Sequence, residues 1–127
     1  MNENPSDPRQ LARRVFAAAG IYGLVVLLPM YFLEGRLNHD LPPPVTHPEY
    51  YYGFVGVAVA WQLLFLLVSR DPVRYRPVML PSFVEKLTYG GAVLVLFGLG
   101  RTGGTTLVSG LVDLIWGALF LVAYART

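Results

Sequence analysis

The chain contains no cysteine, which excludes disulfides, thiolate nucleophiles and Cys-ligated zinc or iron-sulfur centres. It has just two histidines, His39 and His47, so a metal ion would have to rely on carboxylates. Charge is scarce as well: 14% of residues are charged, against roughly 25% in an ordinary soluble domain. What is missing is the set of groups that keeps a surface wet. No glycine-rich phosphate loop, Ser/His/Asp order or dinucleotide fingerprint is present. The formal net charge is only +2, and the ten basic residues are scattered singly between apolar runs instead of lining one face, so nucleic acid is not an expected partner.

What is present is apolar length. Of 127 residues, 54% are hydrophobic, and each bilayer crossing takes about 20 residues at 1.5 Å rise per residue. The fold class that follows is an all-α membrane protein: a single domain over residues 1–127 built as a four-transmembrane-helix bundle, with the lipid bilayer as its main partner. The expected spans are about residues 15–33, 50–69, 83–100 and 105–124. Val15 to Leu33 carries no charge, exceeds the apolar core of a signal peptide, and meets no small-x-small cleavage pattern before Glu34, so it stays attached as the first span. Upstream, Asp7-Pro8-Arg9-Gln10 reads as a helix N-cap followed by a first-turn proline. Pro29 removes one backbone hydrogen bond and predicts a kink. The second span opens on Tyr50-Tyr51-Tyr52, at the depth of an aromatic belt.

The third span is shorter, because the uncharged run extends only from Leu87 to Gly100, a length that also suits an interfacial or re-entrant segment. Ser82 and Glu85 have capping-box spacing, which predicts a helix start near Phe83, with Lys86 snorkelling to the interface. With four spans, Arg9, Arg13, Arg14, Arg70, Arg74, Arg76, Lys86 and Arg126 fall on one side, and Arg36 and Arg101 on the other. That asymmetry places both termini in the cytoplasm. The outer loop from Glu34 to Glu49 contains Pro42-Pro43-Pro44 and reads as a stiff, acidic, extended flap over the external mouth. In the inner loop, Asp71-Pro72 can cap a single helical turn.

Asp113, near the middle of the fourth span, is the most informative residue. A carboxylate there costs about 2.5 to 3.5 kcal/mol on insertion scales and should face protein or water. Thr106, Ser109, Gly110, Asp113, Trp116, Gly117, Phe120 and Tyr124 share one helix face, opposite Leu107, Leu111, Leu114, Ala118 and Leu121. With no basic partner expected at its depth, Asp113 has two readings side by side: ligand or proton chemistry, or structural glue bonded to Tyr, Thr or Gln62. The candidate site is an outward-facing seam of Asp113, Trp116, Gln62 and Tyr51. Glu49 and His47 stand at its mouth, although Thr46-x-x-Glu49 is also a capping box. No metal site is expected, since the two histidines lack the spacing that puts ligands on one helix face. Ala19-x-x-x-Gly23, Gly56-x-x-x-Ala60 and the glycines at 90, 91, 98, 110 and 117 supply grooves for close helix packing, within the bundle, in a homodimer or in a larger membrane complex.

The phrases His47-Pro48-Glu49-Tyr50-Tyr51-Tyr52-Gly53-Phe54, Asp71-Pro72-Val73-Arg74-Tyr75-Arg76-Pro77 with Glu85-Lys86, and Asp113-Leu114-Ile115-Trp116-Gly117 make the chain resemble small bacterial membrane proteins of the broad DoxX-like kind. The resemblance implies a four-helix protein of the bacterial inner membrane, with an accessory role beside quinone-linked oxidation complexes. It supplies no catalytic residues. The expected function is therefore a non-enzymatic accessory or binding protein whose seam holds an apolar ligand such as a quinone or lipid. The alternatives are a membrane enzyme transferring protons between Asp113 and Glu49 or His47, and a purely structural subunit without an internal cavity.

Overall fold

The computed structural model describes residues 7 to 127, which form five α-helices and, among the described residues, no strand. These are α1 (Pro8–Leu27), α2 (Glu34–Asp40), α3 (Pro48–Arg70), α4 (Met79–Gly98) and α5 (Gly104–Arg126). With the short 3-10 segments that extend α1 and precede α4, four helical stretches are long and apolar enough to cross a membrane: Arg9–Phe32, Pro48–Arg70, Arg76–Gly98 and Gly104–Arg126. The chain is thus a multi-pass membrane protein, with large apolar side chains such as Val25, Phe32, Val57 and Ile115 on the outside of the bundle, where lipid replaces water.

Local chemistry sets the helix ends. The Asp7 carboxylate accepts a hydrogen bond of 2.9 Å from the Arg9 amide and caps α1. The Arg9 side chain bonds the same carboxylate, and together these contacts hold the Asp7 carboxyl below its usual range. At the other end, Pro29 has no amide to continue the α-helical ladder, and the chain tightens into a 3-10 helix over Leu28–Phe32. α4 closes in a Schellman turn: Gly100 takes φ 71°, the Arg101 amide donates to the Leu96 carbonyl at 2.8 Å, and the Gly100 amide to Phe97 at 3.0 Å.

Three local expectations are corrected. α4 begins at Met79, not near Phe83. Pro81 fits inside the first turn, where helix amides have no intrahelical partner to lose. The Ser82 hydroxyl donates to the Val78 carbonyl at 2.8 Å instead of capping, and the third helical stretch, Arg76–Gly98, is long and apolar enough to cross a membrane. His47, not Thr46, is the N-cap of α3 and makes no side-chain cap; Glu49 bonds the His47 ring at 3.2 Å. The flap is not extended throughout, because Glu34–Asp40 is helical and the proline run bends back so that the Val45 amide donates to the Asn38 side chain at 2.7 Å. The inner loop behaves as its sequence suggests: the Asp71 side chain accepts from the Arg74 amide at 3.3 Å and closes a turn.

The long helices pack as two pairs, α1 with α3 and α4 with α5, joined mainly where α1 meets α5; α3 and α4 hardly touch. At the end carrying the chain termini the bundle is solid. Phe16, Phe65 and Phe120 are fully buried there, with Phe16 stacked on Phe120 at 4.2 Å and Phe65 edge-on to Phe120 at 4.9 Å. Ala12, Ala19, Val68, Met79 and Ala123 complete this plug. Arg76 seals its rim, its guanidinium 3.9 Å from the Tyr124 ring and its Nε donating to the Tyr124 carbonyl at the end of α5.

Small residues set the close crossings. A side chain at Gly90 would run into Leu114 and the Gly110 carbonyl, and one at Gly110 into Val93, so α4 and α5 meet backbone to backbone. Gly91, next to this contact, faces open space. Gly90→Leu is therefore expected to destabilise the bundle by about 1 to 3 kcal/mol through overpacking. Gly91→Leu should stay within about 0.5 kcal/mol of the parent. Thermal unfolding of both variants in the same detergent checks this difference.

Candidate functional site

The half of the bundle away from the termini is hollow. A cavity of about 410 Å³ lies between the two helix pairs. Its walls are Tyr22, Gly23, Val26, Leu27 and Met30 from the α1 stretch, Phe54, Ala58 and Gln62 from α3, Glu85, Lys86 and Tyr89 from α4, and Thr105, Thr106, Ser109 and Asp113 from α5. Leu37 of α2 and Leu41 just beyond it also line the hollow. The cavity lies between helices α3 and α4, which hardly touch. A second hollow of about 320 Å³ runs along this same α3–α4 cleft, lined by Val57, Trp61 and Thr88, and shares Phe54, Ala58, Glu85 and Tyr89 with the first. Phe54 and Tyr89 stack across the cleft at 5.9 Å. Phe54 and Tyr89 are thus walls that the two hollows share.

The floor of the cavity carries the charge. Lys86 is buried, and its ammonium sits 3.4 Å from Asp113 Oδ1 and 3.6 Å from Glu85 Oε2. Lys86 lies near the middle of the apolar helical stretch Arg76–Gly98, about 15 Å along it from Arg76. Three ionisable groups in that position are expensive singly and stabilise one another only as a set. The Lys86 ammonium also stands 5.4 Å from the Phe65 ring, so the cluster rests on the aromatic plug. Its stem passes over Gly117, where an added methyl would lie 3.3 Å from the Lys86 Cβ.

Gln62 is 1% exposed and donates from Nε2 to the Ala58 carbonyl at 2.9 Å, while its Oε1 has no hydrogen-bond partner. The orientation is fixed, because a carbonyl such as that of Ala58 can only be met by the amide nitrogen. Gly23 leaves room for this side chain between α1 and α3. Toward the mouth, Tyr89 and Ser109 hydroxyls are 2.8 Å apart; Ser109 gives its proton to the Thr106 carbonyl at 2.6 Å, so Tyr89 is the donor between them.

Of the residues singled out from sequence, Asp113 and Gln62 come together on the cavity wall. Trp116 packs beside Tyr22 at 5.9 Å and against the aromatic plug. The Tyr51 hydroxyl donates to the Met30 carbonyl at 2.6 Å and ties α3 to the end of the first span. Glu49 and His47 are exposed and bonded to each other at the start of α3. The acid that joins Asp113 is Glu85, and Asp113 is not without a basic partner. Lys86 and Glu85 escape a sequence reading because the capping-box spacing of Ser82 and Glu85 points to a helix start near Phe83, which leaves both residues at the interface. A start at Met79, which a first-turn proline permits, would have put both residues two turns inside the membrane.

No family model matches this chain, and no curated protein or solved structure matches it either. The four-span plan and the cavity therefore stand on the molecule's own geometry.

Lys86→Met is expected to destabilise the protein by about 3 to 5 kcal/mol, since it strands two carboxyl groups around one missing cation. Adding Asp113→Asn to Lys86→Met should restore part of that loss. Unfolding midpoints of the single and double variants measure the coupling, and strict additivity would show that the two side chains do not act as a pair.

Proposed function

We propose that this protein is a non-enzymatic binding protein of the bacterial inner membrane that holds an apolar ligand of quinone or lipid type in the cavity above Lys86. The observation that carries this reading is the combination of a mostly apolar hollow, a second hollow continuing it along the α3–α4 cleft, and a small set of polar groups converging on its floor. Ligand sites commonly have this form: a few hundred cubic ångströms of apolar wall with a few placed polar groups. A solid bundle would have favoured a purely structural subunit. Proton transfer between Asp113 and Glu49 finds less support, because Glu49 is paired with His47 and lines no part of the cavity.

Sidedness follows from the basic residues. The excess of arginines at the terminal end of the helices supports cytoplasmic termini, which makes the cavity face the outer leaflet. The resemblance to DoxX-like proteins supports an accessory role beside a quinone-linked complex. Asp113→Asn is the test. Lys86 keeps Glu85 as its counter-ion in this variant, so the protein stays folded. Binding of a short-chain quinone or a spin-labelled lipid, followed by tryptophan quenching or by displacement, should weaken about tenfold, in line with one hydrogen bond to a charged group. Unchanged affinity in a folded variant would sink the reading.

A further inference from the structure

The end of the bundle that carries the chain termini is ringed with one kind of charged side chain. Each of the four apolar helical stretches has an arginine as its terminal residue there, Arg9, Arg70, Arg76 and Arg126, whereas their opposite ends are Phe32, Pro48, Gly98 and Gly104. Arg13 and Arg14 lie about a turn further along α1, and Arg74 sits in the loop between α3 and α4. Among the described residues the acids at this end are Asp7, paired with Arg9 at 3.0 Å, and Asp71, whose carboxylate closes the turn onto the Arg74 amide. Arg76 is held by Tyr124. Arg14, Arg70, Arg74 and Arg126 are exposed, and the ion pairs that arginines make among the described residues are Arg9 with Asp7 and Arg36 with Asp40. The opposite end has no such excess, since Arg36 and Arg101 are outnumbered there by Glu34, Asp40 and Glu49.

Depth and chemistry together say what such a collar meets. A residue that terminates an apolar membrane span sits at the level of the lipid head groups, where the nearest anions are lipid phosphates. Every cation of the collar is a guanidinium, because the one lysine of the chain, Lys86, is buried inside the bundle. A guanidinium presents a planar fork of N–H donors that matches two oxygens of a phosphate, whereas charge balance alone would be served equally by the ammonium of a lysine. We propose that this collar binds the phosphate heads of anionic phospholipids in the adjoining leaflet, with Arg14, Arg70, Arg74 and Arg126 as the contacts. The lipids supply the negative charge that Asp7 and Asp71 leave unmatched. The cavity takes no part, so the collar and the binding function are tested separately.

The test uses the full-length protein in phosphatidylcholine vesicles with a trace of spin-labelled phosphatidylglycerol, phosphatidylcholine or stearate, at a pH where the stearate is ionised. Electron spin resonance separates label held at the protein surface from label in the bulk bilayer. Both leaflets contain the same lipids, so the readout does not depend on which way the protein inserts. Phosphatidylglycerol should be held about fivefold more strongly than phosphatidylcholine at low salt. That preference should fall toward unity in about 1 M NaCl, where charges are screened beyond about 3 Å. Arg14→Gln, Arg70→Gln, Arg74→Gln and Arg126→Gln combined should abolish it, while Arg36→Gln with Arg101→Gln should leave it intact. Lysine at the same four positions keeps the charge without the fork and should retain only part of the preference. A parent protein that holds the two phospholipids equally, or a preference that survives the four glutamines, overturns the proposal. Stearate held as strongly as phosphatidylglycerol, or a lysine variant as selective as the parent, overturns it as well, because charge alone would then account for the binding.

Discussion

The contact on which the rest of the structure depends is the Lys86 ammonium held between Asp113 and Glu85, midway along the third apolar helical stretch. Each of these groups alone would be driven out of hydrocarbon or would force local unfolding of its helix. Together they require α4 and α5 to meet with one rotation and one depth, because the ammonium must lie 3.4 Å from Asp113 Oδ1. The small residues serve that requirement. Gly90 and Gly110 bring the two backbones close, and Gly117 leaves space for the Lys86 stem. Polar specificity in lipid thus comes from one charged cluster, and the adhesive energy from close packing around it.

The same division explains why the bundle is solid at one end and hollow at the other. The phenylalanine plug fills the space below Lys86 and joins all four long helices. Above Lys86, three large rings are replaced by Gly23, Ala58 and hydroxyl-bearing residues, and α3 and α4 separate. A Lys–Asp–Glu cluster between an aromatic floor and an apolar hollow is only partly shielded, with the acids retaining 18% and 19% of their side-chain exposure. That residual access is directed into the cavity, where a ligand can meet it.

Much of this was legible in the sequence. The four spans, the N-cap at Asp7, the break at Pro29 and the inward stripe of α5 follow from hydropathy, proline geometry and helical periodicity, all of which are local properties. Asp113 was recognisable as a costly residue for the same reason. The cluster was not legible, because its members lie on two helices and one helix start had to be placed correctly before Lys86 and Glu85 entered the membrane. The capping-box spacing of Ser82 and Glu85 points to a later start than Met79, and a first-turn proline permits the earlier one. Glu49 and His47 attract attention because they adjoin in sequence, yet their pairing consumes them at the helix end. The cavity itself depends on the separation of α3 from α4, which no periodicity records.

Lys86 is the only lysine in the chain. Solid-state NMR of protein labelled with 15N-lysine in lipid bilayers therefore gives one Nζ resonance, free of assignment ambiguity. If the account is right, that nitrogen shows through-space transfer to the side-chain carboxyl carbons of Asp113 and Glu85, exchanges its protons slowly with water, and loses the first correlation in Asp113→Asn. An Nζ signal that exchanges rapidly with water and correlates with lipid phosphate instead would place Lys86 at the interface and contradict the central claim.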